Sequence, residues 1–315
     1  MNLKKIEKEK NAVLILAAAY KAYDDSFISS EPFLNIGNTL IIERIKKNCI
    51  SKNNIYIIVN NFSNKLRELR SFALDNKTST LAMSEETKEK ELDAMKKVDQ
   101  VITYNEIEGA VIFSETKGLV NPMKCPWVVK DSTSPGLKFE ERKGIAFLGG
   151  FQHPPNFECM KWFVSNIMPL FNGEVELSIY GSNLTEEMIF QLKDKDVKCV
   201  GYVDDVEEVY KKHLVFIAPL LSGAGIKGKV IGALRSGIPT VLSPIAAEGT
   251  GLRNKNDCLI AKTNQEWTSS VLDLMNDKSL WDKISANSIN FAKEQYSFES
   301  GKNQMKKILE SVGLY

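Results

Sequence analysis

Charge of one sign is what this sequence of 315 residues most plainly lacks: 41 Lys and Arg stand against 40 Asp and Glu, a formal net charge of +1. No polyanion-binding surface follows from such a balance, and nucleic acid is disfavoured as a partner. Cysteine is also sparse. The five (Cys49, Cys125, Cys159, Cys199, Cys258) are odd in number, scattered and without metal-ligand spacing, which implies reduced thiols and no zinc site. Long apolar runs are missing as well; none approaches the roughly 18 residues that span a bilayer. The nearest imitation is AVLILAAA (12–19), preceded by Lys4, Lys5, Lys8 and Lys10 like a secretion signal. Glu7 and Glu9 interrupt that basic region, and Lys21, Asp24 and Asp25 follow the run directly. A surface helix over residues 3–22 of a cytoplasmic protein is the simpler expectation.

What is present is concentrated between Pro219 and Glu248, PLLSGAGIKGKVIGALRSGIPTVLSPIAAE. An apolar run of strand length, LVFIAPL (214–220), precedes a glycine-rich loop, and a second, PTVLSP (239–244), follows it. Between them Val230, Ala233 and Leu234 repeat at helical spacing, so the unit reads as strand, loop, short helix, strand. Gly223, Gly225 and Gly228 let the backbone turn tightly and approach a ligand. The new helix offers unpaired N–H groups at its start, where anions bind. Lys227 and Lys229 add two positive charges at the same mouth. Diphosphate is the natural guest; the bland alternative is a βαβ connection with solvated lysines.

The wording GAGIKGKV, then AL, SGIPTV and AAEG resembles the donor-site segment of retaining GT-B glycosyltransferases, those of family 4 especially. The resemblance implies an α/β fold of two Rossmann-like doubly wound domains facing a cleft, with a nucleotide-diphosphate sugar as donor. It implies transfer to a glycan, lipid-linked or protein acceptor, without a metal or other cofactor and with retention of configuration. Association with a membrane surface or a partner glycosyltransferase falls within the same implication. Lys227 and Lys229 are then the catalytic cations, and Gly223, Ala224, Gly225, Ile226, Gly228, Glu248 and Gly249 donor-binding residues. GGFQHPPN (149–156) matches the family's pattern of two glycines, an aromatic, His and Pro-Asn, which adds Gly149, Gly150 and His153. His153 either faces the cleft or caps the helix that begins at Pro154 or Pro155. Glu248 either bonds sugar or ribose hydroxyls or is an N-terminal helix acid or a solvated loop residue. His213 reads as structural. Three positions depart from the pattern: Leu221 stands at a usual arginine, Ser222 at the first of the family's paired acids, and Gly232 at the second, which holds the donor ribose. Those losses keep a catalytically silent binding or scaffold subunit open as an alternative, and an epimerase of the same fold beside it.

The second half supports the reading strand by strand. GIAFLGG (144–150), VELSIYG (175–181), VKCVGYV (197–203), LVFIAPL, PTVLSP and DCLIAK (257–262) alternate with helical stretches near 154–171, 185–192, 204–213 and the loop helix. Six strands with helical crossovers make a doubly wound parallel sheet. Helices at 265–275, 280–294 and 298–309 close the chain, the last expected to cross back onto the first domain.

Residues 1–140 read as a reduced acceptor-side domain and 141–315 as the nucleotide-sugar-binding domain, joined through the turn-rich DSTSPGLKFEERK (131–143). In the first half, strands are expected at 25–30, 54–60 and 98–105. Helices are expected near 39–47, 65–73, 84–98 and from Glu106. KLRELR (65–70), the charged helix and VDQVITYNEIE (98–108) resemble the later part of the family's first domain, while its glycine-rich acceptor loop has no counterpart. LILAAAYKAYDD with EPFLNIGNTLIIERIKK is similar to the start of a sugar nucleotidyltransferase, but AAAYKAYDD replaces the glycine-rich, arginine-containing loop those enzymes need.

Overall fold

In the computed structural model the run VLILA is a strand, β1 (Val13–Ala17), and not part of a helix over residues 3–22. A short antiparallel hairpin follows, β2 (Asn35–Ile36) with β3 (Thr39–Leu40), where a helix was expected to begin. Then come β4 (Tyr56–Val59), β5 (Gln100–Thr103), α1 (Glu106–Glu115) and β6 (Met123–Lys124). β1 lies between β4 and β5, parallel to both, with Leu14 in register with Tyr56 on one side and Val101 on the other. A run with no polar position has no face to give to water as a surface helix. An inner strand of a parallel sheet is covered on both faces and takes such a run readily. The sheet order is β4-β1-β5-β6, four parallel strands where about three were expected.

The structure describes residues 88–89, 91–129, 137–223 and 225–313 in full, and the backbone of β1 to β4. The strand expected at 25–30, the helix at 65–73 and the rest of 39–47 lie outside the described residues. The charged helix is present at 88–89 and 91–95. Its expected apolar face holds: Met95 is buried with Val101 and Val120, and Leu92, Val98 and Ile112 pack on them. The chain forms two compact units, one of residues 1–128 with 301–315, the other of 129–300.

All six strands expected in the second half form: β7 (Ile145–Leu148), β8 (Leu177–Tyr180), β9 (Val197–Gly201), β10 (Val215–Ala218), β11 (Thr240–Leu242) and β12 (Leu259–Ile260). They are parallel, in the order β12-β11-β10-β7-β8-β9. The crossovers are α2 (Pro154–Asn166), α3 (Glu186–Gln191), α4 (Val206–Lys212), α5 (Gly228–Arg235) and α6 (Pro244–Ala247). The closing helices are α7 (Asn264–Asn276), α8 (Lys278–Tyr296) and α9 (Phe298–Ser311). From Gly301 onward α9 belongs to the first unit, as the last helix was expected to. The central strands are apolar throughout because both faces are covered: every residue of β10 and β11 is buried. Trp267 of α7 anchors the helical layer, edge-on to Phe163 and Trp162 of α2.

His213, the C-cap of α4, has the structural part expected of it. Its Nδ1 is 2.9 Å from the Lys143 carbonyl and its Nε2 2.9 Å from the Tyr180 hydroxyl. A carbonyl only accepts, so Nδ1 carries the proton and Nε2 accepts from the phenol. Burial holds the imidazole below its ordinary pKa, Lys212 and Arg142 push the same way, and the hydrogen bond to Lys143 opposes them. A lowered folded pKa gives stability that is full above about pH 6.5 and is lost as pH falls and the unfolded chain takes the proton first. His213→Gln is therefore expected to flatten the loss of stability between pH 7.5 and 5 in urea titrations. Equal slopes in parent and variant would remove His213 as the cause.

Candidate functional site

The sheet order puts a switch point between β7 and β10. These strands are adjacent, with Val215 in register with Ile145, yet the chain leaves β7 towards β8 and β10 towards β11. Loops at the carboxyl ends of two such strands part from each other, and the crevice they leave is where ligands sit in open α/β sheets. Residues 149–156 follow β7 and residues 219–229 lead from β10 into α5, so the two motif-bearing segments meet there.

Gly149 and Gly150 run from β7 to His153, the N-cap of α2. A Cβ on Gly149 would stand 2.8–3.0 Å from the Asn156 amide, so glycine is required for the close approach. The loop is sewn to its neighbour after β8: Gly149 N–H donates to Tyr180 O at 3.0 Å and Phe151 N–H to Ser182 O at 2.9 Å. Gly181 completes the fit, since with φ 149° a Cβ there would lie 1.7 Å from the Gly149 carbonyl. His153 is half-buried; it holds the N-cap position of α2, and its side chain makes no capping hydrogen bond.

In the second loop Gly223 (φ 126°) and Gly225 (φ 74°) adopt left-handed backbone that other residues resist. Ile226 is buried beneath the loop, Gly228 opens α5, and Ala224 lies outside the described residues. Lys227 is the N-cap of α5; only 5 % exposed, it donates from Nζ to the Gly225 carbonyl at 2.6 Å. Lys229 crosses to the other loop. Its Nζ donates to Asn156 Oδ1 at 2.6 Å and stands 4.3 Å from the centre of the Phe147 ring of β7. Burial draws the Lys229 pKa down to about 8, with the charge of Lys227 adding to the effect and Cys159 opposing it. Lys227 is buried and Lys229 half-buried, and each ammonium has an acceptor within the protein.

Ser243 ties the third loop in, donating from Oγ to Leu220 O at 2.7 Å while capping α6 through Ala246 N–H. Glu248 ends α6 and is exposed, so it is not an acid at a helix start but a solvated residue where the helix gives way to the loop; Gly249 follows with φ 72°. Leu221 and Ser222 are exposed. Gly232 faces inward: a Cβ there would meet Tyr210 Oη at 3.0 Å and its ring carbons at 3.2 and 3.4 Å. Tyr210 is 2 % exposed and its hydroxyl donates to Lys229 O at 3.0 Å.

Two residues of the site were not singled out from the sequence. Asn156, 6 % exposed, donates from Nδ2 to Gly150 O at 2.8 Å and accepts from Lys229. Its only signal was a place in the Pro-Asn pair. Tyr210 gave no signal, because its packing against Gly232 and α5 spans a strand and two loops. Every residue described here lies in the second unit.

Residues 142–277 match the family model of glycosyl transferases group 1. An uncharacterized 44.6 kDa protein of the cps region of Klebsiella pneumoniae is 24% identical over 179 residues, which are 53% of this chain and 44% of that one. Among solved structures, TarM of S. aureus, in complex with Fondaparinux, alpha-GlcNAc-glycerol and UDP, superposes with a TM-score of 0.61 at 17% identity. It covers 72% of this chain and 46% of TarM. Alr3699/HepE of Anabaena, with UDP and glucose, gives 0.55 at 14% identity over 69% and 66% of the two chains. The pneumococcal O-GlcNAc transferase GtfA, with UDP and GlcNAc, gives 0.52 at 18% over 69% and 46%. The fold is thus of the GT-B kind, and the chain spans less than half the length of the Klebsiella protein and of TarM.

Proposed function

We propose, from the match of residues 142–277 to glycosyl transferases group 1, that this chain binds a nucleotide-diphosphate sugar at the crevice between the β7 and β10 loops and transfers the sugar to an acceptor. One observation carries the reading: the Lys229 ammonium, inside an enclosure of glycine-rich loops, held 2.6 Å from Asn156 at the start of α5. A cation so placed, beside the first N–H groups of a helix, suits the charge of a diphosphate.

Breaking the bond from sugar C1 to the diphosphate develops positive charge on the sugar and negative charge on the leaving phosphates. Lys229, Lys227 and the loop N–H groups supply fixed positive charge to that leaving group. The same cations let transfer proceed without a metal, with retention at C1 as the resemblance implies. Gly223 and Gly225 admit the phosphates close to the backbone, His153 lies at the rim beside Gly150, and Glu248 is free to meet sugar or ribose hydroxyls. UDP is the probe to use first, since TarM, HepE and GtfA were each solved with it. At 100 times its dissociation constant it should add about 2.7 kcal/mol to folding stability. A rise in Tm with millimolar UDP, unchanged by EDTA, is the expected result. A melting curve that UDP leaves unmoved, and GDP, ADP and dTDP also, would count decisively against the site.

A second reading is a nucleotide-sugar-binding subunit without transferase activity. Gly232 favours it, because the position that carries an acid in the resembled loops has none here and is narrowed from one side by Tyr210. Product analysis with UDP-sugars separates the two: a glycoside or released sugar marks a transferase, and binding without either marks a subunit.

A further inference from the structure

The cradle described above contains a polar side chain that touches both loops and is assigned no part in them. Asn156 sits in the first turn of α2, 6 % exposed. Its two amide ends are committed to different segments. Nδ2 donates to the Gly150 carbonyl at 2.8 Å, which fixes which way the amide faces, so Oδ1 is necessarily the end presented to Lys229 Nζ at 2.6 Å. Gly149 lies so close that any side chain there would strike this amide, so the loop has been shaped around it. Lys229 stands over Phe147 on its other side. The ammonium therefore has one acceptor of fixed orientation and an aromatic face.

We propose that Asn156 is the positioning residue of the anion site: keyed to Gly150, it holds the Lys229 ammonium between the β7 loop and the start of α5, where an incoming diphosphate meets it. The inference rests on the reading of this crevice as a diphosphate site. An amide is suited to the task because it accepts from the cation without neutralising it. An aspartate there would also hold the lysine but would cancel its charge. The groups that face the ammonium are Lys227 from the loop and the Cys159 thiol from α2, with Glu158 acting on that thiol. Burial and Lys227 favour the uncharged amine and Cys159 opposes them, and the Asn156 amide gives the ammonium a neutral acceptor at 2.6 Å.

The test is UDP affinity of the full chain by titration calorimetry from pH 7 to 9.5, for parent, Asn156→Leu and Asn156→Asp. In the parent, affinity should fall as pH rises through about 8, where Lys229 loses its proton. Asn156→Leu keeps the volume and removes the acceptor; affinity at pH 7 should drop roughly tenfold, the loss of one charge-assisted hydrogen bond, and the midpoint should move to lower pH. Asn156→Asp should move the midpoint to higher pH while weakening binding at every pH, a result that a merely structural asparagine would not give. If Asn156→Leu fails to fold, the midpoint of Asn156→Asp alone decides. A parent that binds UDP, with unchanged midpoints in the variants, overturns the role of Asn156 and leaves the donor reading standing. A parent that binds no UDP at any pH overturns both.

Discussion

Lys229→Met is expected to weaken UDP binding by one to two orders of magnitude while making the protein more stable at pH 7. The binding loss follows from removing a charge-assisted hydrogen bond, worth about 1.5–3 kcal/mol. The stability gain follows from where the ammonium lies. Burial draws its pKa down to about 8, and at about 1.4 kcal/mol per unit the displacement from an ordinary lysine is worth about 3 kcal/mol. Methionine keeps the stem over Phe147 and removes that penalty, as apolar replacements of buried ions commonly do. Against this, Asn156 Oδ1 loses its donor, at a cost of about 1–3 kcal/mol, so the net gain should be about 1 kcal/mol.

The sign in pH is fixed by the direction of the shift. With its folded pKa lowered, the parent has its full stability above about pH 10.4 and loses it as pH falls towards 8, because the unfolded chain protonates first. Below 8 both states carry the proton and the penalty is constant. The methionine variant has no such limb, so its advantage should be present at pH 7 and shrink between pH 8 and 10.4. Urea midpoints at pH 7, 8, 9 and 10 with calorimetry at pH 7 would measure both effects. Parallel pH profiles would show that burial does not strain Lys229, and a variant that binds UDP as the parent does would show that Lys229 is not part of the site.

Gly232→Glu should destabilise the protein by about 2 kcal/mol and weaken UDP binding. The resemblance to family 4 leads to the opposite expectation, that restoring an acid would restore a hold on the nucleotide. In this chain Tyr210 narrows the place. The first carbon of any side chain at 232 would press on a Tyr210 ring that is 2 % exposed, with its hydroxyl 3.0 Å away. Overpacking a closed core costs about 1–3 kcal/mol, against the few tenths that a better helix former than glycine returns. Displacing Tyr210 also breaks its bond to Lys229 O, in the first turn of the helix that carries the ammonium. Tyr210→Phe removes the hydroxyl at 3.0 Å, so in that background the glutamate should cost about 1 kcal/mol less, a coupling that a double-mutant cycle resolves. If Gly232→Glu alone tightens UDP binding at unchanged Tm, the tyrosine yields easily and the family's acid can simply be put back.

How far the chain could be read from its residues depended on whether the signal was local. The six strands of the second half declare themselves as short runs rich in apolar residues, most of them ending at Gly or Pro, and each is found where it was expected. VLILA misled because a short apolar run fits a buried strand and a helix equally well. Residues 100–103, its partner in register, lie over eighty positions away. The glycine-rich loop was legible because left-handed backbone at Gly223 and Gly225 demands glycine. Lys227 and Lys229 were legible as cations but not as a buried and a half-buried one with acceptors inside the protein, since those acceptors belong to Gly225 and to an asparagine seventy-three positions distant.

Composition and local pattern, then, determined a parallel α/β protein with a phosphate-suited loop, because strand runs, helix periods and glycine turns are properties of neighbouring residues. Only the tertiary structure decided where that loop points and what meets it. The order β12-β11-β10-β7-β8-β9 brings β7 beside β10, and with it Asn156 beside Lys229 and Tyr210 beside Gly232. Those pairings set the charge of a lysine and the room at a glycine, and both depend on contacts between residues that are distant in the chain.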